Sequence, residues 1–150
     1  MAESLTLPLG IATVRWCVVG SRGFRGPAFR AFLTEKLDAL ALIEPPGLMI
    51  SEGCRGPDQM AELWGAERGV CAVRHLPKWH EYGRSAGPRR NAEMVRYATR
   101  LIAFWDGSSA GTASSIGLAK AKLIPVDIHL WREPGVVALR KDGAERDAAV

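Results

Sequence analysis

The sequence predicts an α/β fold, an open and mostly parallel sheet of about five strands with helices on both faces. Three observations lead there. Short apolar runs rich in β-branched and aromatic residues alternate with longer stretches whose apolar residues recur at three- and four-residue steps. Each short run is almost continuously apolar, as strands buried on both faces are. Glycine-rich turns follow the first, second and fourth runs, so they gather at one edge of a parallel sheet.

Taken in order, Val14-Arg15-Trp16-Cys17-Val18-Val19-Gly20 reads as the first strand and Ser21 to Gly26 as a polar loop. Pro27 suits a first helical turn. Phe29, Phe32, Leu33, Leu37 and Leu40 then mark one face of a helix, which Pro45-Pro46-Gly47 stops. Leu48-Met49-Ile50 is the second strand and Ser51 to Pro57 its loop. Asp58 is placed to cap a helix carrying Met60, Ala61, Trp64 and Ala66. Gly69 ends that helix, and Val70 to Val73 reads as the third strand. Pro77 to Gly87 looks irregular, and Pro88 opens a helix with Ala92, Val95 and Ala98 on one side. Leu101-Ile102-Ala103-Phe104-Trp105 is the strongest strand pattern in the chain. The turn from Asp106 to Thr112 leads into a helix with Ala113, Ile116, Ala119 and Lys120, and Leu123 to Ile128 is the last core strand. Gly135 to Arg140 is expected as an edge strand.

The 150 residues make one domain, with no linker-like stretch to divide them. Its core is expected over about residues 13–129, with a frayed tail over 142–150. At 47% hydrophobic and 24% charged residues the chain can bury a sizeable core. No apolar run approaches the roughly 20 residues of a membrane span, and no signal-peptide pattern opens the chain, so the cytoplasm is the expected compartment. Cys17, Cys54 and Cys71 lack metal-ligand spacing, which argues against a zinc site. Cys17 and Cys71 fit buried small hydrophobes, whereas Cys54 lies in a glycine-rich loop. No metal and no cofactor is implied.

Of the 20 basic residues 15 are Arg, and six of these, Arg22, Arg25, Arg55, Arg84, Arg89 and Arg90, fall in or beside the loops. Guanidinium groups suit bidentate contacts to phosphate. The turn Asp106-Gly107-Ser108-Ser109-Ala110-Gly111-Thr112 lets backbone approach a ligand closely and points N–H groups at an anion. It is neither a P-loop nor the dinucleotide fingerprint. Gly20-Ser21-Arg22-Gly23 and Gly53-Cys54-Arg55-Gly56-Pro57-Asp58 are two further anion-friendly turns. Arg90 and Asn91, at a basic helix start that an anion would stabilise, complete the candidate binding set of Gly20, Ser21, Arg22, Gly53, Arg55, Gly56, Asp58, Gly107, Ser108, Ser109, Gly111 and Thr112. Trp64 and Trp105 are expected in the core. His75, His80 and His129 are expected to be structural or surface residues.

Four segments read together, Val18 to Arg22, Gly53 to Asp58, Gly83 to Asn91 and Ala103 to Thr112, resemble the SLOG superfamily of Smf/DprA- and Lonely Guy-related proteins, most nearly its YspA-like branch. The resemblance implies a Rossmann-like sheet that binds nucleotides or nucleotide-derived ligands. In the Lonely Guy branch it also implies hydrolysis of a nucleoside monophosphate at its N-glycosidic bond. That branch follows its Pro-Gly-Gly-x-Gly-Thr loop with a glutamate, but here Ala113-Ser114-Ser115 follows Thr112. Glu93 is the carboxylate left as a catalytic candidate. The second loop also departs from the branch's two glycines, because Glu52 replaces one. The expected function is therefore a nucleotide-binding module or sensor, with an N-glycosidase as the alternative. Single-strand DNA binding of the DprA kind is disfavoured for want of an aromatic series or a long basic stripe. A small-molecule nucleotide is the expected partner, with no membrane partner, and a homodimer is the expected assembly.

Overall fold

In the computed structural model, residues 14–53 and 55–132 are described, together with the backbone of 138–139 and 145–146. Five strands form one all-parallel sheet: β1 (Arg15–Gly20), β2 (Leu48–Ser51), β3 (Ala72–Arg74), β4 (Arg100–Trp105) and β5 (Val126–Leu130), in the order β3-β2-β1-β4-β5. The helices are α1 (Pro27–Ile43), α2 (Pro57–Glu67), the single turn α3 (Trp79–Tyr82), α4 (Ala86–Tyr97) and α5 (Ala110–Lys122).

Alternation along β1 and β4 explains the double winding. Trp16 and Val18 of β1 and Ile102 and Phe104 of β4 join Phe29, Leu33 and Leu37 of α1 and Ala61 and Trp64 of α2 in one buried cluster. Cys17, Val19, Leu101 and Ala103 face the other way, against Met94 and Val95 of α4 and Ile116 and Ala119 of α5. Trp16 stacks on Trp64 at 5.6 Å between centroids, and Phe29 meets Phe104 edge-on at 5.7 Å. Fully buried Phe29 is thus a keystone of the first layer, and its truncation to Ala is expected to cost about 3–5 kcal/mol.

The chain winds outward from β1 through β2 to β3, then crosses back to lay β4 on β1's other side. The loops after β1 and β4 therefore diverge to opposite faces. That divergence is the topological switch point at which open α/β sheets hold ligands.

Several expectations need correction. Asp58 does not cap α2. Pro57 takes the first helical position and Gly56 precedes it with φ 87°, so Asp58 lies inside the first turn. Helix α4 starts at Ala86, two residues before Pro88, and Ala92 is exposed while Arg90 is buried. Cys71 is exposed, because the third strand is a three-residue edge strand starting after it. Trp105 is half-buried, its indole N–H donating to the Ser109 carbonyl at 3.1 Å. Ala138–Leu139 do not extend the sheet; they pair antiparallel with Glu145–Arg146 in a separate ribbon that includes part of the tail expected to fray. Cys54 lies outside the described residues.

Candidate functional site

A cavity of about 330 Å³ opens at the switch point. Its walls come from the end of β1 and its loop (Val19, Gly20, Ser21, Arg22), the residue after β2 (Glu52), α4 (Arg90, Asn91) and the start of α5 with its N-cap (Ser109, Gly111, Thr112, Ser115). The volume lies at the small end of the roughly 300–1,000 Å³ range of small-molecule sites.

The two diverging loops are sewn together. The hydroxyls of Ser21 and Ser109 lie 3.0 Å apart, and the Ser21 hydroxyl accepts from the Asp106 N–H at 3.3 Å. Ser21 N–H donates to the Phe104 carbonyl at 3.1 Å. Gly20 is fixed by packing: a Cβ there would stand 2.5 Å from the Phe104 carbonyl oxygen and 2.6 Å from Pro57 Cγ.

The α5 end of the pocket is built from a turn and a helix start. Asp106 Oδ1 accepts from the backbone N–H groups of Ser108 and Ser109 at 2.8 and 2.7 Å. Burial pushes the Asp106 carboxyl up, but these bonds and those from the two hydroxyls outweigh it and hold the group below its usual value. The first backbone bond of α5 runs from Ala113 N–H to Ser109 O. The N–H groups of Ala110, Gly111 and Thr112 thus precede the ladder, pointing out of the helix start where a negative charge is favoured. A Cβ on Gly111 would meet nothing within 4 Å, so packing does not demand this glycine. It leaves space in the cavity. Exposed Arg22 supplies a cation at the rim.

The opposite wall holds a buried charge cluster. Arg90 Nη2 pairs with Glu52 Oε2 at 2.8 Å, with side-chain exposures of 6% and 11%. Arg90 Nε donates to Asn91 Oδ1 at 3.0 Å, and Arg90 Nη1 is buried with no partner. Behind Glu52 lies Asp58, buried, with Oδ2 accepting from the Glu52 N–H at 3.2 Å. Burial, and then the charge of Glu52, push the Asp58 carboxyl well above its usual value despite that bond. Arg89, by contrast, faces outward over the Tyr82 ring at 4.3 Å.

The structure therefore brings Gly20, Ser21, Arg22, Arg90, Asn91, Ser109, Gly111 and Thr112 together and leaves the other candidates outside the cavity. Gly53 and Gly107 take φ of 74° and 87° and serve their turns, while Arg55 and Ser108 are exposed. Gly56 packs against the Arg22 carbonyl, where a Cβ would come to 3.0 Å. Asp58 supports Glu52 from behind. Glu93 lines a second hollow of about 130 Å³ with Leu76, Lys78, Tyr82 and Arg90, which lines both, and lies 3.5 Å from His75 Nδ1. Burial lowers the His75 pKa, and Glu93 opposes that shift. Glu52, Val19 and Ser115 are wall residues that sequence reasoning did not include. Glu52 carried the one available signal, a charge in a loop position where glycine was expected.

Fold and site together define a doubly wound α/β protein with a small cleft at its switch point. No family model matches the chain. It is 36% identical over 89 residues to the Gene 61 protein of Mycobacterium phage D29, in an alignment covering 55% of this chain and 71% of the phage protein. The chain belongs to the family of that phage protein.

Proposed function

We propose that the cleft binds a small phosphorylated nucleotide or nucleotide-derived ligand, as a YspA-like member of the SLOG superfamily would. The observation that carries this reading is the Arg90 side chain, which lines the cavity and whose buried Nη1 has no partner among the described residues. An unpaired buried donor on a charged group costs more than about 1–3 kcal/mol, and a ligand oxygen removes that cost. The unclaimed N–H groups at the start of α5 and the rim cation Arg22 support a phosphate at the other end. The cavity's volume favours a mononucleotide over a dinucleotide.

Hydrolysis finds less support, because the carboxylate proposed for it, Glu93, lies beside the smaller hollow. One panel tests both readings: thermal shifts with nucleoside mono-, di- and triphosphates, ADP-ribose and NAD, each sample then chromatographed for free base. A ligand at a hundred times its Kd stabilises by about 2.7 kcal/mol, which for this size is a rise of about 5–10 °C. A shift with intact ligand is expected, weakened in Arg22→Ala. Absence of any shift overturns the binding reading, and release of free base replaces it with the glycosidase.

A further inference from the structure

The Glu52–Arg90 pair poses a question that phosphate binding does not answer. A phosphate placed against Arg90 would also face the Glu52 carboxylate 2.8 Å away, and the pair is close to neutral as a unit. The anion is better held at the α5 end, where backbone N–H groups and Arg22 lie and the Asp106 carboxylate, which does not line the cavity, is already bonded by Ser108 and Ser109. What remains at the other wall is one unpartnered donor, Arg90 Nη1, next to an acceptor-only group, Glu52.

We propose that Glu52 and Arg90 form a reader for a ribose cis-diol, so that the cleft selects ribonucleotides over 2′-deoxyribonucleotides. The proposal rests on the nucleotide reading above and deepens it. A hydroxyl both donates and accepts, and a vicinal pair presents two such groups side by side. One hydroxyl accepts from Arg90 Nη1 while its neighbour donates to Glu52. A phosphate or a carboxylate offers acceptors alone and leaves Glu52 opposed. A primary amine offers donors alone and leaves Arg90 Nη1 unpaired.

The place in the fold fits. Glu52 directly follows β2, the strand beside β1, where an acidic residue in a doubly wound sheet reaches the ribose of a ligand whose phosphate sits at a helix N-terminus. The side chain is held in position. Arg90 fixes it from the α4 side, and its own N–H is tied to Asp58 Oδ2. These contacts use part of the four or so acceptor sites of a carboxylate, leaving capacity that lines the cavity.

The test is calorimetric titration of the full chain with AMP, GMP, CMP and UMP and with their 2′-deoxy counterparts, repeated on Glu52→Gln. Loss of one hydrogen bond to a charged group predicts a preference of about 10- to 100-fold for the ribonucleotides. In Glu52→Gln that preference shrinks, because the hydroxyl exchanges a bond to a charged carboxylate for a weaker one to a neutral amide. Adenosine 2′,5′-bisphosphate binds the wild type more weakly than AMP, since its 2′-phosphate faces Glu52. Equal affinity of wild type for ribo and deoxy ligands overturns the diol reader while the nucleotide cleft stands. Discrimination undiminished in Glu52→Gln overturns the assignment to Glu52. Binding of none of the eight monophosphates at millimolar concentration overturns the nucleotide reading itself, and the diol reader with it.

Discussion

Two glycines of the same cleft should respond in opposite ways to the same methyl group. At Gly20 a Cβ would stand 2.5 Å from the Phe104 carbonyl oxygen and 2.6 and 2.9 Å from Pro57 Cγ and Cβ. Gly20 is the register partner of Phe104 in the parallel ladder, and both β4 and the first turn of α2 are packed behind these atoms. Neither neighbour is the free end of a flexible side chain, so backbone must shift. Overpacking of this kind costs about 1–3 kcal/mol, and Gly20→Ala belongs at the upper end because a sheet carbonyl is in the way. At Gly111 the new Cβ meets nothing within 4 Å. There the helix preference for Ala over Gly, about 0.5–1 kcal/mol, acts unopposed. Urea unfolding followed by circular dichroism separates the two. With an m-value of about 2 kcal/mol/M, Gly20→Ala lowers the midpoint by about 1–1.5 M, while Gly111→Ala leaves it level or raises it slightly. Gly111→Ala should instead weaken nucleotide binding, because its methyl group fills cavity space. A Gly20→Ala protein as stable as wild type refutes the packing account. A strongly destabilised Gly111→Ala protein removes the argument that this glycine is there for a ligand.

Other outcomes follow from the charges. Arg90→Met leaves Glu52 buried without its cation beside Asp58, and should destabilise by about 3–5 kcal/mol in denaturant titration. Adding Glu52→Gln should recover part of the loss, and additivity in the double variant contradicts the pairing. The folded-state pKa of Asp58 is raised, so the native protein holds a proton that the unfolded chain releases above about pH 4. Wild type therefore loses stability relative to Asp58→Asn as pH climbs from about 4 through the folded value. Urea unfolding of both proteins at pH 4 and pH 7 measures this, and a constant difference between them contradicts it. Asp106 has the opposite sign: its folded pKa is lowered, so its stabilisation is present above about pH 4 and lost as pH falls through the folded value. Asp106→Ala should cost about 0.5–2 kcal/mol at pH 7 and much less near pH 2.

The sheet was legible because its strands are short, apolar and bounded by glycine and proline. β1 and β4 need burial on both faces, and their unbroken runs say so. The cleft was legible wherever a loop follows a strand in a parallel sheet, and Ser21, Ser109, Gly111 and Thr112, expected at that edge, line the cavity there. The electrostatic conflict of a cation near a helix N-terminus pointed to Arg89 or Arg90, and of the two Arg90 is the buried one that lines the cavity. What stayed hidden depends on direction. Pro57 claims the first helical position, and that single-residue shift turns Asp58 from a cap into a buried support for Glu52. Glu93 follows Arg90 by three residues, about 4.5 Å along the axis, which is enough to set it against His75 at the other hollow. Glu52 stands out in sequence only as a charge where a glycine was expected. Its burial comes from packing by α2 and α4, and no local pattern encodes that.

The central claim, that a phosphorylated nucleotide sits between the β1 loop and the start of α5, is tested most directly by titrating nitrogen-15-labelled protein with AMP and following the backbone amide resonances. The account predicts saturable shifts at Ser21, Arg22, Ala110, Gly111 and Thr112, with smaller ones at Glu52. Shifts confined to the hollow around Leu76, Tyr82 and Glu93, or no shifts at millimolar ligand, contradict it.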